Sequence, residues 1–184
     1  ANALAFVRIG NVYLTRASSA QKGTPRETLL VNLKAAEENY KEAISLYNNY
    51  GQALYNLAAT YDREGELGQA IKQFEKLAAS NPRDPSIFFQ IGLLYYRNNQ
   101  KDNALAAWER AVALFPSYSN ARWYLSLIYE ERGQLDLALE QVIEIEKFNK
   151  DNDLVKQRIA QLEQGVRIIP PEKVLDQKPL NNQE

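Results

Sequence analysis

The side chains that could do chemistry in this sequence are carboxylates and aromatics. Histidine and cysteine are both absent. That removes the histidine base of a catalytic triad, thiolate nucleophiles and the common zinc-ligand sets. No glycine-rich loop of the phosphate-cradling kind is present. The carboxylates fall in close pairs, Glu37 with Glu38, Asp62 with Glu64 and Glu130 with Glu131. Neighbouring positions on a helix project in different directions, so such pairs read as solvated surface rather than as an acid–base couple. No catalytic residue, metal site or cofactor is expected. What remains is non-covalent recognition, and 6 Phe, 11 Tyr and 2 Trp equip the chain for it. A strip of exposed apolar and aromatic side chains is a preferred anchor for a protein partner.

The elements that would position such a strip follow from a repeat. Ala36, Ala70, Ala104 and Ala138 stand at steps of 34 residues, and a fixed period of that length means one small unit stacked on copies of itself. Tyr61, Tyr95 and Tyr129 keep the same step, as do Leu57, Ile91 and Leu125 and the small residues that follow them, Ala58, Gly92 and Ser126. Phe74, Trp108 and Val142 lie four residues after the alanines, and Leu77, Ala111 and Ile145 three further on. Spacings of three and four mark a helix face. Each unit is therefore two helices joined by a tight turn. Gly65, Asn99 and Gly133 occupy that turn, where a positive φ suits glycine and, next best, asparagine. The small residue at Ala58, Gly92 and Ser126 lets the two helices approach closely. Pro82 and Pro116 close two units, and Asp84-Pro85 restarts a helix with a capping side chain and a proline in the first turn.

This pattern resembles the tetratricopeptide repeat family. Residues 85–118 carry it most fully, with Phe88, Ile91, Gly92, Tyr95, Ala104, Trp108, Ala111 and Pro116. Residues 51–84 carry Leu54, Leu57, Ala58, Tyr61, Ala70, Phe74, Leu77 and Pro82. Residues 119–152 depart at Arg122, in the first aromatic position, and at Lys150, in the final proline position. The implied fold is all-α, a right-handed α-solenoid of stacked helical hairpins with four units and a C-terminal capping helix.

The first unit spans 3–50 and is interrupted. Phe6, Ile9, Gly10 and Tyr13 spell its first helix, and Ala36, Tyr40 and Ala43 its second, with about fourteen extra residues between Tyr13 and Ala36. Thr24-Pro25-Arg26-Glu27 has the form of a capping box, placing the second helix from Pro25 to about Leu46 and leaving residues 17–23 as a loop. The insertion is read as a tolerated surface elaboration, with a projecting, docking helix as the alternative. Residues 153–164 form the expected capping helix, with Leu154, Val155, Ile159 and Leu162 inside and Lys156, Arg158 and Glu163 mostly outside. Gly165 ends it. Residues 166–184, with Pro170-Pro171 and Pro179, read as an extended or disordered tail.

A net charge of −1 without a Lys/Arg cluster argues against nucleic acid as partner. No apolar run is long enough to insert in a bilayer. The chain lacks an initiating Met, its helical pattern begins at once and its tail resembles a linker, so a soluble piece of a longer protein is expected, with its compartment left open.

In the resembled family, positions two, five, nine and twelve of each first helix line a concave groove. Position five holds Val7, Tyr55, Phe89 and Trp123; position nine holds Asn11, Ala59, Leu93 and Leu127; position twelve holds Leu14, Asp62, Tyr96 and Glu130. Position two holds Gln52, Ser86 and Asn120 in the later units. The resemblance thus implies a partner-binding groove built on Tyr55, Phe89, Leu93, Tyr96, Trp123 and Leu127, with Asn11 and Asn56 beside them. Each aromatic taken singly is as compatible with internal packing; the combination suggests an exposed strip. The clamp that some family members use for an acidic chaperone tail is not expected. Its cationic positions hold Val7, Ser86 and Gln90 here, and only Asn11 and Asn56 match. The expected function is a non-catalytic protein-interaction scaffold that takes an apolar or amphipathic peptide or helix in the groove. Two alternatives stand beside it. One is a self-assembly module whose groove takes its own tail (Val166, Ile168, Ile169, Val174, Leu175) or a neighbouring chain. The other is the soluble appendage of a larger protein or enzyme, membrane-anchored or not.

Overall fold

The computed structural model describes residues 2–19 and 24–165. Among these the chain is all-helical: α1 (Ala3–Ser18), α2 (Arg26–Leu46), α3 (Gly51–Glu64), α4 (Leu67–Ser80), α5 (Pro85–Arg97), α6 (Lys101–Leu114), α7 (Ser119–Glu131), α8 (Leu135–Glu146) and α9 (Asp153–Glu163). The chain divides into two compact units, Ala1–Arg83 and Asp84–Glu184. Each is built by stacking helical hairpins, the α-solenoid class of fold.

In the first unit α1 pairs with α2 and α3 with α4, and α3 also packs on α2. The pairing depends on small residues at the crossing. A Cβ on Gly10 would lie 2.6 Å from Tyr40 Cε1, so the close approach of α1 and α2 requires glycine there. Tyr40, Leu33, Leu54, Leu57 and Val7 are essentially sealed from water. In the second unit α5 pairs with α6, α7 with α8, α7 packs on α6 and α9 on α8. Trp108 is its centre, fully buried, with the α5 backbone of Gly92 against its ring. Val155 and Leu162 of α9 join the same apolar cluster.

The turns carry the expected backbone. Gly65, Asn99 and Gly133 have φ of 85°, 58° and 76°. Asp84 accepts a hydrogen bond from Ser86 N at 2.9 Å and caps α5, with Pro85 in the first turn.

Two local expectations are corrected. The capping box at Thr24–Glu27 does not form: Pro25 is the cap residue, extended at ψ 136°, and no side chain caps α2. Proline at the cap leaves Thr24 one residue too far out to reach the first free amides. The loop expected from residue 17 starts later, because α1 continues to Ser18 and buries Ala17. Residues 20–23 and the tail 166–184, including Val166, Ile168, Ile169, Val174 and Leu175, lie outside the described residues.

Candidate partner-binding faces of the first helices

In the first unit, α1 and α3 supply the face. Val7 is buried. Asn11 is half-buried, and its Oδ1 accepts hydrogen bonds from Tyr40 Oη and from Asn56 Nδ2, both at 2.8 Å. These two bonds tie α1 to α2 and to α3, so the Asn11 and Asn56 amides act inside the unit. Burial pushes the Tyr40 hydroxyl up to about 12, which keeps it a neutral donor to Asn11. Tyr55 is different: it is 43% exposed, with its ring set edge-on against Phe74 at 5.2 Å. It offers an aromatic surface on a fixed base. Elsewhere in the unit, Glu37 of α2 is buried and gathers Lys34 Nζ at 2.6 Å, Lys41 Nζ at 2.5 Å and Tyr61 Oη at 3.0 Å. Burial opposes its ionisation, yet these three hydrogen bonds outweigh burial and hold its carboxyl below the ordinary range.

In the second unit the expectation of an open aromatic strip is corrected. Phe89, Tyr96, Trp123 and Leu127 are only 7%, 9%, 6% and 1% exposed, and all four belong to the unit's apolar core. The reason is mutual packing. Phe89 lies against Tyr118 and Tyr124 with ring centroids 5.3 and 5.6 Å apart, and Tyr124 stacks on Trp108 at 5.2 Å. Burying such rings is worth on the order of 25 cal/mol per Å² of apolar area, so they turn toward one another. Tyr96 packs near Trp108, and its hydroxyl donates to Glu131 Oε2 at 3.0 Å. Burial and, second to it, the Glu131 carboxylate hold that phenol well above its ordinary value. Leu93 remains half-buried.

The structure adds one residue that the sequence pattern misplaced. Arg158 of α9, expected mostly outside, is buried and ion-paired to the equally buried Glu130 of α7. Continuing the 34-residue register into α9 would have found it, because Arg158 falls one step after Tyr124. Its Nη2 meets Glu130, whereas Nε and Nη1 make no hydrogen bond among the described residues, and neither does Trp123 Nε1. Arg122, which replaces an aromatic, instead ties its own helix down, donating to Pro116 O at 2.6 Å and Gln141 Oε1 at 2.8 Å. Among the described residues, no group of histidine, cysteine and acidic side chains is placed to hold a metal, and no helix is long and apolar enough to cross a membrane.

Comparison with known proteins agrees with this architecture. Models of the tetratricopeptide repeat match residues 32–88 and 89–152. The photosystem I assembly protein Ycf3 of Prochlorococcus marinus strain MIT 9301 is 33% identical over 98 residues, covering 44% of this chain and 57% of that protein. Its counterpart in strain MIT 9215 gives the same figures. The chain thus spans less than two-thirds of the length of these relatives. Among solved structures, a crystal structure of MamA superposes with a TM-score of 0.71 at 21% identity, over 89% of this chain and 81% of that one. YrrB, a TPR protein with an unusual peptide-binding site, gives 0.65 at 19% identity, over 89% and 77%. At such identities the likeness concerns the fold alone.

Proposed function

The chain belongs to the tetratricopeptide repeat family, a protein-interaction scaffold, and on that premise we propose that it is an assembly factor that holds a segment of a client protein against its first helices. In this reading it works by binding alone.

The observation that carries the reading is Tyr55 on α3, an aromatic ring 43% exposed and held edge-on against Phe74. A rigid aromatic left in water on an interaction scaffold is a favoured anchor for a protein partner. Half-buried Ala59, one turn further along α3, adds an apolar contact beside it. The client segment is therefore apolar. The role of the Prochlorococcus relatives, photosystem I assembly, supports an assembly role here.

A photo-crosslinking amino acid placed at Tyr55 tests this, with Phe115, another exposed aromatic, as the control position. A single client band at position 55, absent at 115 and lost when Ala59→Glu sets a charge one turn along the same helix, is the expected result. Equal capture at both positions, or capture at 55 that ignores Ala59→Glu, counts against the proposal.

A further inference from the structure

The second helices of the hairpins do not all begin at the same place in the repeat. α4, α6 and α8 start at Leu67, Lys101 and Leu135, 34 residues apart. In that register α2 would start at Leu33, yet it starts at Arg26, seven residues earlier. These two extra turns have no counterpart in the other hairpins, so the stacking does not require them. They lie between α1 and α3 in the chain, and their exposure is not the work of a chain end.

Helical spacing sorts α2 into two sides. Leu33, Ala36 and Tyr40 face the core of the unit and are fully buried. Glu27, Leu30, Val31 and Lys34, spaced i, i+3, i+4, i+7, run along the opposite side. Leu30 is 41% and Val31 64% exposed. These four border an open hollow of about 510 Å³, together with Arg26 and with Glu64 at the end of α3. Its charged residues are thus two bases and two acids. Lys34 Nζ reaches Glu37 on its own helix, but its side chain is 63% exposed and an ammonium carries three donors.

We infer that this stripe pairs, antiparallel, with the same stripe of a second copy of the chain, about a two-fold axis between Leu30 and Val31. The stripe is its own complement, and that selects the occupant. Turned end for end, Glu27 falls opposite Lys34 of the other copy and Lys34 opposite its Glu27, while Leu30 and Val31 meet their own counterparts between the two ion pairs. Glu38, next along the same side, fixes the register. Sliding one helix by a turn would set Glu27 against Glu38 and Val31 against Lys34. A different protein, or another segment of this chain, would have to reproduce the order acid, apolar pair, base; a second copy carries it already. Two turns of helix bury far less than the roughly 1,200 Å² of a standard interface, so the pairing is weak, with Kd on the order of 0.1–1 mM. The inference is independent of the client face at Tyr55.

Disulfide trapping of the whole chain tests it. The chain contains no cysteine, so Val31→Cys supplies a single thiol beside the axis. Glu42→Cys is the control, exposed on the same helix but more than about 30 Å from its counterpart in such a pair. Under mild oxidation at about 0.5 mM protein, a covalent dimer is expected at position 31 in at least roughly fivefold greater yield than at 42. Adding Glu27→Lys to the Val31→Cys chain sets lysine against Lys34 at both ends and should lower the yield about fivefold; Lys34→Glu should do the same. Mixing these two charge variants should restore the yield as a mixed dimer, identified by its mass, because unlike charges then face one another at both ends. Glu27 is exposed, so Glu27→Lys probes the pairing without disturbing the fold, and circular dichroism checks the Lys34→Glu chain, which loses its bond to Glu37. Equal yields at 31 and 42, a yield indifferent to Glu27→Lys, or a mixture no richer in dimer than either variant alone overturns the inference. So does the absence of covalent dimer at position 31, the result if another segment of this chain lies on the stripe.

Discussion

Gly92 and Trp108 touch so closely that a Cβ on Gly92 would fall 2.2 Å from the indole nitrogen. The same indole donates from Nε1 to Phe89 O at 3.2 Å, one turn earlier on α5. The crossing of α5 and α6 is thus fixed by a missing side chain and a hydrogen bond together. Gly92→Ala should destabilise the protein by about 1–3 kcal/mol despite alanine's better helix propensity, because a buried indole cannot yield. Urea denaturation measures it. Gly68→Ala is the matched control. A Cβ at Gly68 on α4 meets nothing within 4 Å, and this substitution should stabilise by about 0.4–1 kcal/mol.

The burial of Phe89 and the exposure of Tyr55 make opposite predictions for the two candidate site residues. Phe89→Ala should cost about 3–5 kcal/mol through the cavity left between Tyr118 and Tyr124. Tyr55→Ala should cost about 0.5 kcal/mol. Thermal denaturation separates them: a large fall in Tm for the first and little change for the second. Similar falls for both would mean that Tyr55 is core.

Glu37 gives unit 1 an acid sensitivity. Its carboxyl binds fewer protons in the folded state than in the unfolded one, since its folded pKa lies below the ordinary 4.5. The stability it supplies is complete above that value and is lost as pH falls through the folded pKa. Lys34 and Lys41 are largely exposed, so the contribution is limited to about 1 kcal/mol. Glu37→Gln should flatten the fall in urea midpoint measured between about pH 5 and pH 3. A midpoint curve that keeps its wild-type slope in the variant would remove Glu37 as the cause.

The Glu130–Arg158 pair is buried on both sides, so removing one partner strands the other charge. Arg158→Met should cost about 3–5 kcal/mol, and the double change Glu130→Gln/Arg158→Met should recover much of that. Hydrogen exchange of α9 amides reports the loss directly, because Val155 and Leu162 then hold the helix without its ion pair. If the double variant is as unstable as the single one, packing rather than charge isolation is responsible.

The repeat was legible because it is written in residue sizes at fixed spacing. Ala58, Gly92 and Ser126 mark where helices cross, and Gly65, Asn99 and Gly133 mark where they turn; such local steric demands hold wherever the chain goes. The candidate site was less legible. Position in the repeat says which way Phe89 or Trp123 leaves its helix, but not whether the rings beside it close over it. Tyr118 and Tyr124 do so for Phe89. Arg158 was misplaced for a related reason: a charged residue on a terminal helix reads as surface until its buried partner on α7 is seen.

The sequence by itself determined a stack of helical hairpins, the turn residues and the absence of histidine and cysteine chemistry, because period, helix spacing and residue type are properties of the chain alone. Only the tertiary structure decided which apolar side chains remain in water. Ile9 and Leu57 occupy the same place in the repeat, and one is exposed while the other is sealed beneath a neighbouring helix. Exposure depends on what packs alongside, and a side chain's neighbours are set by the folded arrangement rather than by its position in the register.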